Sequence, residues 1–254
     1  MARSYQTRLP PPYLKRVWYD PPGGTDRSAY PHVLPWLRNG EFELSFDRPV
    51  TIIVGENGVG KSTLLEGIAV LAGYDESGGG PGYRAVDNSR AIETGGGSLA
   101  AALKASWLPR VGSGWFFRAE SFFSVARYLD EAARDVGAYG PDFLSQSHGE
   151  GFIRFFEERC AQPGVFFFDE PESALSPTRQ FEFLKLLREI EAGAKTQVIM
   201  ATHSPILMAH PRAALLKMGK YGLQPVELED TDHFRLMRQF VLDPGGMVSL
   251  MIDD

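Results

Sequence analysis

The stretch TIIVGENGVGKST, residues 51–63, decides how this chain is read. Its first four residues are a β-branched apolar run, the composition of a parallel strand buried on both faces. The run then enters a loop, Gly55, Glu56, Asn57, Gly58, Val59 and Gly60, closed by Lys61, Ser62 and Thr63. Two glycines separated by four residues and followed by Lys-Ser form the phosphate-loop pattern. The physics accounts for each type. Glycines let successive backbone N–H groups curl around an anion, and the helix that follows aims its positive end at the same point. Lys61 is placed to reach the β- and γ-phosphates, and the Ser62 hydroxyl to ligate magnesium. The segment TLLEGIAVLAG (63–73) has the pattern of that helix.

Composition sets the frame around this motif. The chain has 254 residues, 43% apolar and 23% charged, which is enough to bury a sizeable core in one α/β domain. Its 26 Lys and Arg stand against 32 Asp and Glu, a net charge of −6. That balance excludes nucleic-acid binding by bulk charge, while leaving a local basic strip open. One cysteine, Cys160, allows no internal disulfide, and no cluster has zinc-ligand spacing. No apolar run reaches the roughly 18 residues of a membrane span, and the first residues lack a signal-peptide core. The expectation is a cytoplasmic protein. Residues 77–97 are rich in glycine and read as connector and turns, and residues 223–254 as an acidic end without a motif.

Outward from the phosphate loop, YLKRVWY (13–19) and EFELSF (41–46) read as strands, as does GWFFRAE (114–120). SFFSVARYLDEAARDVG (121–137) reads as an amphipathic helix, and GFIRFFEERC sets Phe152, Phe155 and Phe156 on one helical stripe. VFFF (165–168) and QVIMATH (197–203) are further buried strands, separated by the helical RQFEFLKLLREIEAG (179–193). Buried strands alternating with helices predict an α/β fold with a mostly parallel sheet.

Two of these strands end on chemistry. VFFF delivers Asp169 and Glu170 to a strand's C-terminal end, where ligands of open α/β sheets bind. Asp169 suits magnesium, directly or through water, and Glu170 suits orienting or deprotonating an attacking water. His203 closes the next strand, placed to donate to a terminal phosphate. The other histidines, His32, His148, His210 and His233, carry no motif, and Trp36 reads as core.

In this order the pieces resemble an ATP-binding-cassette (ABC) type ATPase domain, and within it the small stand-alone bacterial ATPases of the AAA/ABC-like group. The resemblance rests on GENGVGKST, WFFRAESFF (115–123), the short SHG signature at 147–149, DEPESALSP (169–177) and ATHSP (201–205), and spans about residues 40–205. It implies a P-loop NTPase with an antiparallel β edge and a small helical lid. It also implies a single domain, with a core of about 1–72 and 150–254 and a lid and signature insert of about 73–149. Ser147 and Gly149 align with the signature that touches ATP held by a second subunit; His148 and Glu150 depart from its usual form. Glu120 stands where transporter cassettes carry a magnesium-sensing glutamine, and Ser176 where the crossing loop usually has aspartate. Tyr30 is the candidate to stack on adenine.

The implied cofactors are ATP and magnesium, and the implied assembly is a head-to-tail homodimer with two ATPs between the chains. The expected function is a soluble, magnesium-dependent ATPase switch acting with a protein partner in DNA maintenance or phage defence. The competing class is the motor subunit of a membrane transporter, which Glu120 and the SHGE signature disfavour. A regulatory module with little turnover is the third reading, opposed by Glu170 and His203. No acidic cluster supports nuclease activity.

Overall fold

Strict two-residue alternation along the apolar strands splits the core into two layers, one on each face of a central sheet. The computed structural model describes residues 8–81, 95–118, 148–160 and 162–252. Strands β1 (Leu14–Tyr19), β2 (Glu43–Ser45) and β3 (Val50–Val54) precede helix α1 (Lys61–Ala72). Helix α2 (Gly96–Ala102) then leads into β4 (Leu103–Trp107) and β5 (Gly114–Arg118). Next come α3 (His148–Arg159), β6 (Gly164–Asp169), α4 (Pro177–Gly193), β7 (Thr196–Ala201) and the short α5 (Pro205–Met208). The order finishes with β8 (Ala214–Gly219), β9 (Gly222–Pro225), α6 (Asp232–Leu242) and α7 (Pro244–Ile252).

The central sheet runs β5-β6-β7-β3-β8-β9. Its first five strands are parallel, and β9 turns back antiparallel on β8. A second, antiparallel sheet has the order β2-β1-β4. The fold is therefore α/β with a mostly parallel sheet flanked by helices and an antiparallel element beside it, as the strand pattern and the resemblance predict.

Ile53, Phe116, Phe167 and Ile199 point to the layer shared with α1 and the antiparallel sheet. Their neighbours Ile52, Phe117, Phe166, Phe168 and Val198 point to the other layer, with α3 and α4. The two sheets are tied by the buried Gln197. Its Oε1 accepts from the N–H groups of Tyr13 and Leu14 at 2.8 Å each, and its Nε2 donates to Leu14 O at 3.0 Å. Three bonds satisfy an amide that burial would otherwise penalise.

Two findings differ from the sequence reading. Residues 96 and 97, at the end of the stretch read as connector and turns, are helical and open α2. Their glycines allow close packing on α1: a Cβ on Gly96 would come within 2.7 Å of Glu66 Cβ, and the Leu99 side chain sits over Gly67. β4 was not legible, since in LKASW only Leu103 is buried and the rest lacks an apolar run. Within the interval 73–149 lie β4 and β5, one strand of each sheet. The helix expected at 121–137 lies outside the described residues. Among the described residues, no helix is long and apolar enough to cross a membrane.

Aromatic packing dominates the second layer. The Phe168 ring lies 4.7 Å from Phe156 and 5.1 Å from Phe183, centroid to centroid, and is fully buried. Phe168→Ala is expected to destabilise the fold by about 3–5 kcal/mol. A urea titration showing less than about 1 kcal/mol would contradict this packing.

Candidate nucleotide-binding site

Parallel pairing places the site before any side chain does. In register, Arg118 of β5 lies beside Asp169 of β6, Asp169 beside Ala201 of β7, and Ala201 beside Ile53 of β3. All four strands thus end on one line, and the loops leaving them emerge together. Three of those loops carry Gly55–Gly60, Glu170 and Thr202–His203. This is the carboxyl edge at which open α/β sheets bind ligands.

The phosphate loop needs glycine at two points. Gly55 has φ +153°, and a Cβ there would meet Met218 O at 2.7 Å. Gly60, in the left-handed region at φ +95°, precedes α1 without any side-chain cap. The first-turn N–H groups of α1 are therefore not occupied by a capping side chain. Behind the loop, Trp36 Nε1 donates to Val59 O at 2.9 Å, so the tryptophan read as core also clamps the loop. Lys61 is buried, and its Nζ donates to Gly55 O and Glu56 O at 2.9 Å each. Burial lowers the pKa of this ammonium, and the nearby carboxylates of Glu170, Asp169, Glu56 and Glu172 oppose that effect.

Ser62 Oγ donates to Asp169 Oδ1 at 3.0 Å. A hydroxyl and a carboxylate side by side at the start of α1 are hard oxygen donors, the set that suits magnesium shared with phosphate oxygens. Among the described residues no group of three His, Cys, Asp or Glu side chains is arranged around a metal position. A cation held by one carboxylate, one hydroxyl and phosphates needs no such cage. Behind Asp169, Arg118 bridges two acids: Nη2 lies 2.9 Å from Glu66 Oε1 and Nε 3.9 Å from Asp169 Oδ2. Arg118 is nearly buried and links β5, α1 and β6 at their site ends.

Glu170 follows Asp169 with φ +48° and ψ +54°, a left-handed conformation uncommon for a residue with a Cβ. Its N–H donates to Ala201 O at 3.0 Å, which holds the turn. The side chain turns toward solvent, and Oε1 lies 3.5 Å from His203 Nε2. His203 is held from two sides. Its backbone N–H donates to Glu172 Oε1 at 2.6 Å, and its Nδ1 lies 2.7 Å from His233 Nε2. Glu172 Oε2 accepts from Thr202 Oγ1 at 2.7 Å. Burial, then the Lys61 charge, holds the His203 imidazole below its ordinary pKa, against the pull of Glu170. Burial raises the Glu172 carboxyl, against its hydrogen bonds.

The structure therefore gathers Gly55 to Thr63, Asp169, Glu170 and His203 at one edge. Tyr30 is close by: its hydroxyl is hydrogen-bonded to Thr63 Oγ1 and its ring is half exposed. Gly149 lies in α3. Ser147 and Glu120 lie outside the described residues. The sequence reading missed Arg118, Glu172 and His233. Arg118 stood in a quoted motif, and Glu172 in DEPES, but neither spacing nor type marked them as site residues. For His233, thirty positions from His203 and on the last helices, no sequence signal exists.

Two family models match parts of the chain. An AAA domain model whose description names the AbiEii toxin and a type IV toxin–antitoxin system matches residues 146–209, and a second AAA domain model matches residues 32–105. No curated protein matches the chain. Among solved structures, the chain is similar to an ABC transporter in an inward-facing conformation, with 17% identity, 88% of each chain covered and a TM-score of 0.46. It is also similar to cbiO1 of Clostridium perfringens, part of the ABC transporter complex cbiONQ (18% identity; 94% of this chain and 99% of that chain; TM-score 0.43). A third is the SMC head domain of Thermotoga maritima (17%; 85% and 99%; 0.45). These overlaps are loose, and the fold stands on strand order and loop geometry.

The Glu172 carboxyl gives a pH test. A carboxyl with a raised folded-state pKa binds its proton more tightly folded than unfolded. Its contribution therefore favours folding at low pH and is lost as pH rises through the raised value. Glu172→Gln, which keeps an acceptor for His203 N–H, is expected to gain stability relative to the parent as pH rises above the ordinary carboxyl range of about 4. A stability gap that stays constant over that rise in urea titrations would exclude this role for burial.

Proposed function

We propose, from the premise that this chain is an ABC/AAA-like P-loop ATPase, that it is a magnesium-dependent ATP-hydrolysing switch. The observation that carries the reading is one edge holding the Lys61 loop, the Ser62–Asp169 pair and the Glu170–His203 pair together. In this reading the N–H groups of residues 58–62 and Lys61 Nζ take the β- and γ-phosphates, Lys61 leaving the loop carbonyls for them. Ser62 and Asp169 hold magnesium, which when bound neutralises charge on the phosphates. Glu120 is a further candidate ligand. Glu170 accepts a proton from the attacking water as its oxygen bonds to the γ-phosphorus. The bond from that phosphorus to the bridging oxygen breaks, and ADP leaves with the electron pair. His203 Nε2 contacts the γ-phosphate. Tyr30, beside Thr63, serves the adenine side.

The same reading makes the working unit a head-to-tail homodimer. Ser147 and the Gly149 backbone of one chain complete the site of the other, so ATP favours the closed pair and hydrolysis releases it. A protein partner is supported by α6 and α7, which expose Leu236, Phe240, Val241, Leu250 and Ile252. Contiguous apolar exposure of this kind marks interaction surfaces. The same reading sets the switch in DNA maintenance or phage defence; the model matched over residues 146–209 carries a toxin–antitoxin description, which favours a defence setting.

Glu170→Gln is expected to bind ATP-magnesium normally, to lower turnover by about 100-fold or more, and to accumulate dimer. Light scattering that finds this variant wholly monomeric at saturating ATP-magnesium would sink the dimer. Lys61→Ala is expected to abolish measurable ATP binding by calorimetry, and an unchanged affinity would sink the site itself.

A further inference from the structure

His203 Nδ1 and His233 Nε2 lie 2.7 Å apart, with ring centroids separated by 4.8 Å. So short a contact between two imidazole nitrogens requires a proton on one and a lone pair on the other. Two arrangements satisfy it. When His233 Nε2–H donates, a neutral His203 carries its own proton on Nε2. When His203 Nδ1–H donates, Nε2 of the neutral ring presents only a lone pair.

The surroundings of Nε2 decide between them. That nitrogen is buried and makes no hydrogen bond among the described residues, and Glu170 Oε1 is 3.5 Å away. A lone pair turned on a carboxylate is repelled, whereas an N–H is attracted. Glu170 therefore favours the arrangement in which His233 is the donor. His233 is itself firmly placed. It is the second residue of α6, whose N-cap Thr231 accepts from Phe234 N at 3.3 Å and is fully buried. Its neighbour Asp232 pairs with Lys217 of β8 at 2.5 Å.

We infer that His233 is a positioning residue: by donating to His203 Nδ1 it keeps a proton on His203 Nε2, facing Glu170 and the terminal-phosphate position. This rests on the role given to His203 above. It also makes α6 part of the hydrolytic apparatus, since any displacement of its first turn withdraws the donor.

The test joins a spectrum to kinetics on the full chain. Nitrogen-15 histidine NMR without nucleotide is expected to show His203 protonated on Nε2 in the parent, and to lose that preference in His233→Ala. A parent His203 with a bare Nε2 overturns the inference. In ATPase assays His233→Ala is expected to lower kcat by about tenfold or more with KM for ATP nearly unchanged. His233→Gln, whose amide N–H can donate, restores most of it. Equal losses in both variants, or a rise in KM alone, overturn the inference. If His233→Ala does not fold, His233→Phe replaces it as the variant without a donor. His203→Ala separates the two readings: parental turnover there removes the role of His203 itself. Slow His203→Ala beside a fully active His233→Ala removes the positioning role alone.

Discussion

Phe166, Phe167 and Phe168 must be buried on both faces of β6, and much of the architecture answers that requirement. One face is covered by α1 with the antiparallel sheet, the other by α3 and α4. A strand buried on both sides lies inside a parallel sheet, and parallel neighbours impose a common direction on every strand end. Asp169 and Glu170 therefore leave the sheet at the same edge as the phosphate loop and His203. The apolar packing does not take part in the chemistry, but it sets the geometry in which the chemistry occurs.

At that edge the charges are arranged in depth. Arg118 lies behind Asp169 and is shared with Glu66, so the strand-end carboxylate faces a cation on its inner side. Lys61 lies in front, held by backbone carbonyls of its own loop. Glu172 fastens the strand-end turn through Thr202 and the His203 backbone. Each of these side chains at the strand ends and in the loop is thus held by a partner of its own. Preorganisation of this sort lets a site stabilise developing charge without rearranging as the reaction proceeds.

Legibility followed the range of the interactions. Phosphate-loop spacing is local: Gly55, Gly60, Lys61 and Ser62 fall within eight consecutive positions, so spacing alone exposes the pattern. The buried strands were equally plain, because short β-branched and aromatic runs bounded by turn signals suit a strand covered on both faces. β4 escaped because a partly exposed strand of mixed composition is recognised through its partner, and β1 lies more than eighty residues away. The helix at 96–102 escaped because glycine, read locally, signals a turn, whereas here it permits two helices to approach closely.

By itself, then, the amino-acid order determined the α/β class, the phosphate loop and the strand ends that carry Asp169, Glu170 and His203. These depend on neighbours along the chain and on burial, both of which leave marks in a linear pattern. What only the tertiary structure decided is which distant groups support them: Arg118 behind Asp169, Trp36 behind the loop, Glu172 beneath the His203 turn, and His233 against its imidazole. A side chain's partner across space is set by register and helix packing, and a single hydrogen bond between residues thirty positions apart has no periodicity to betray it.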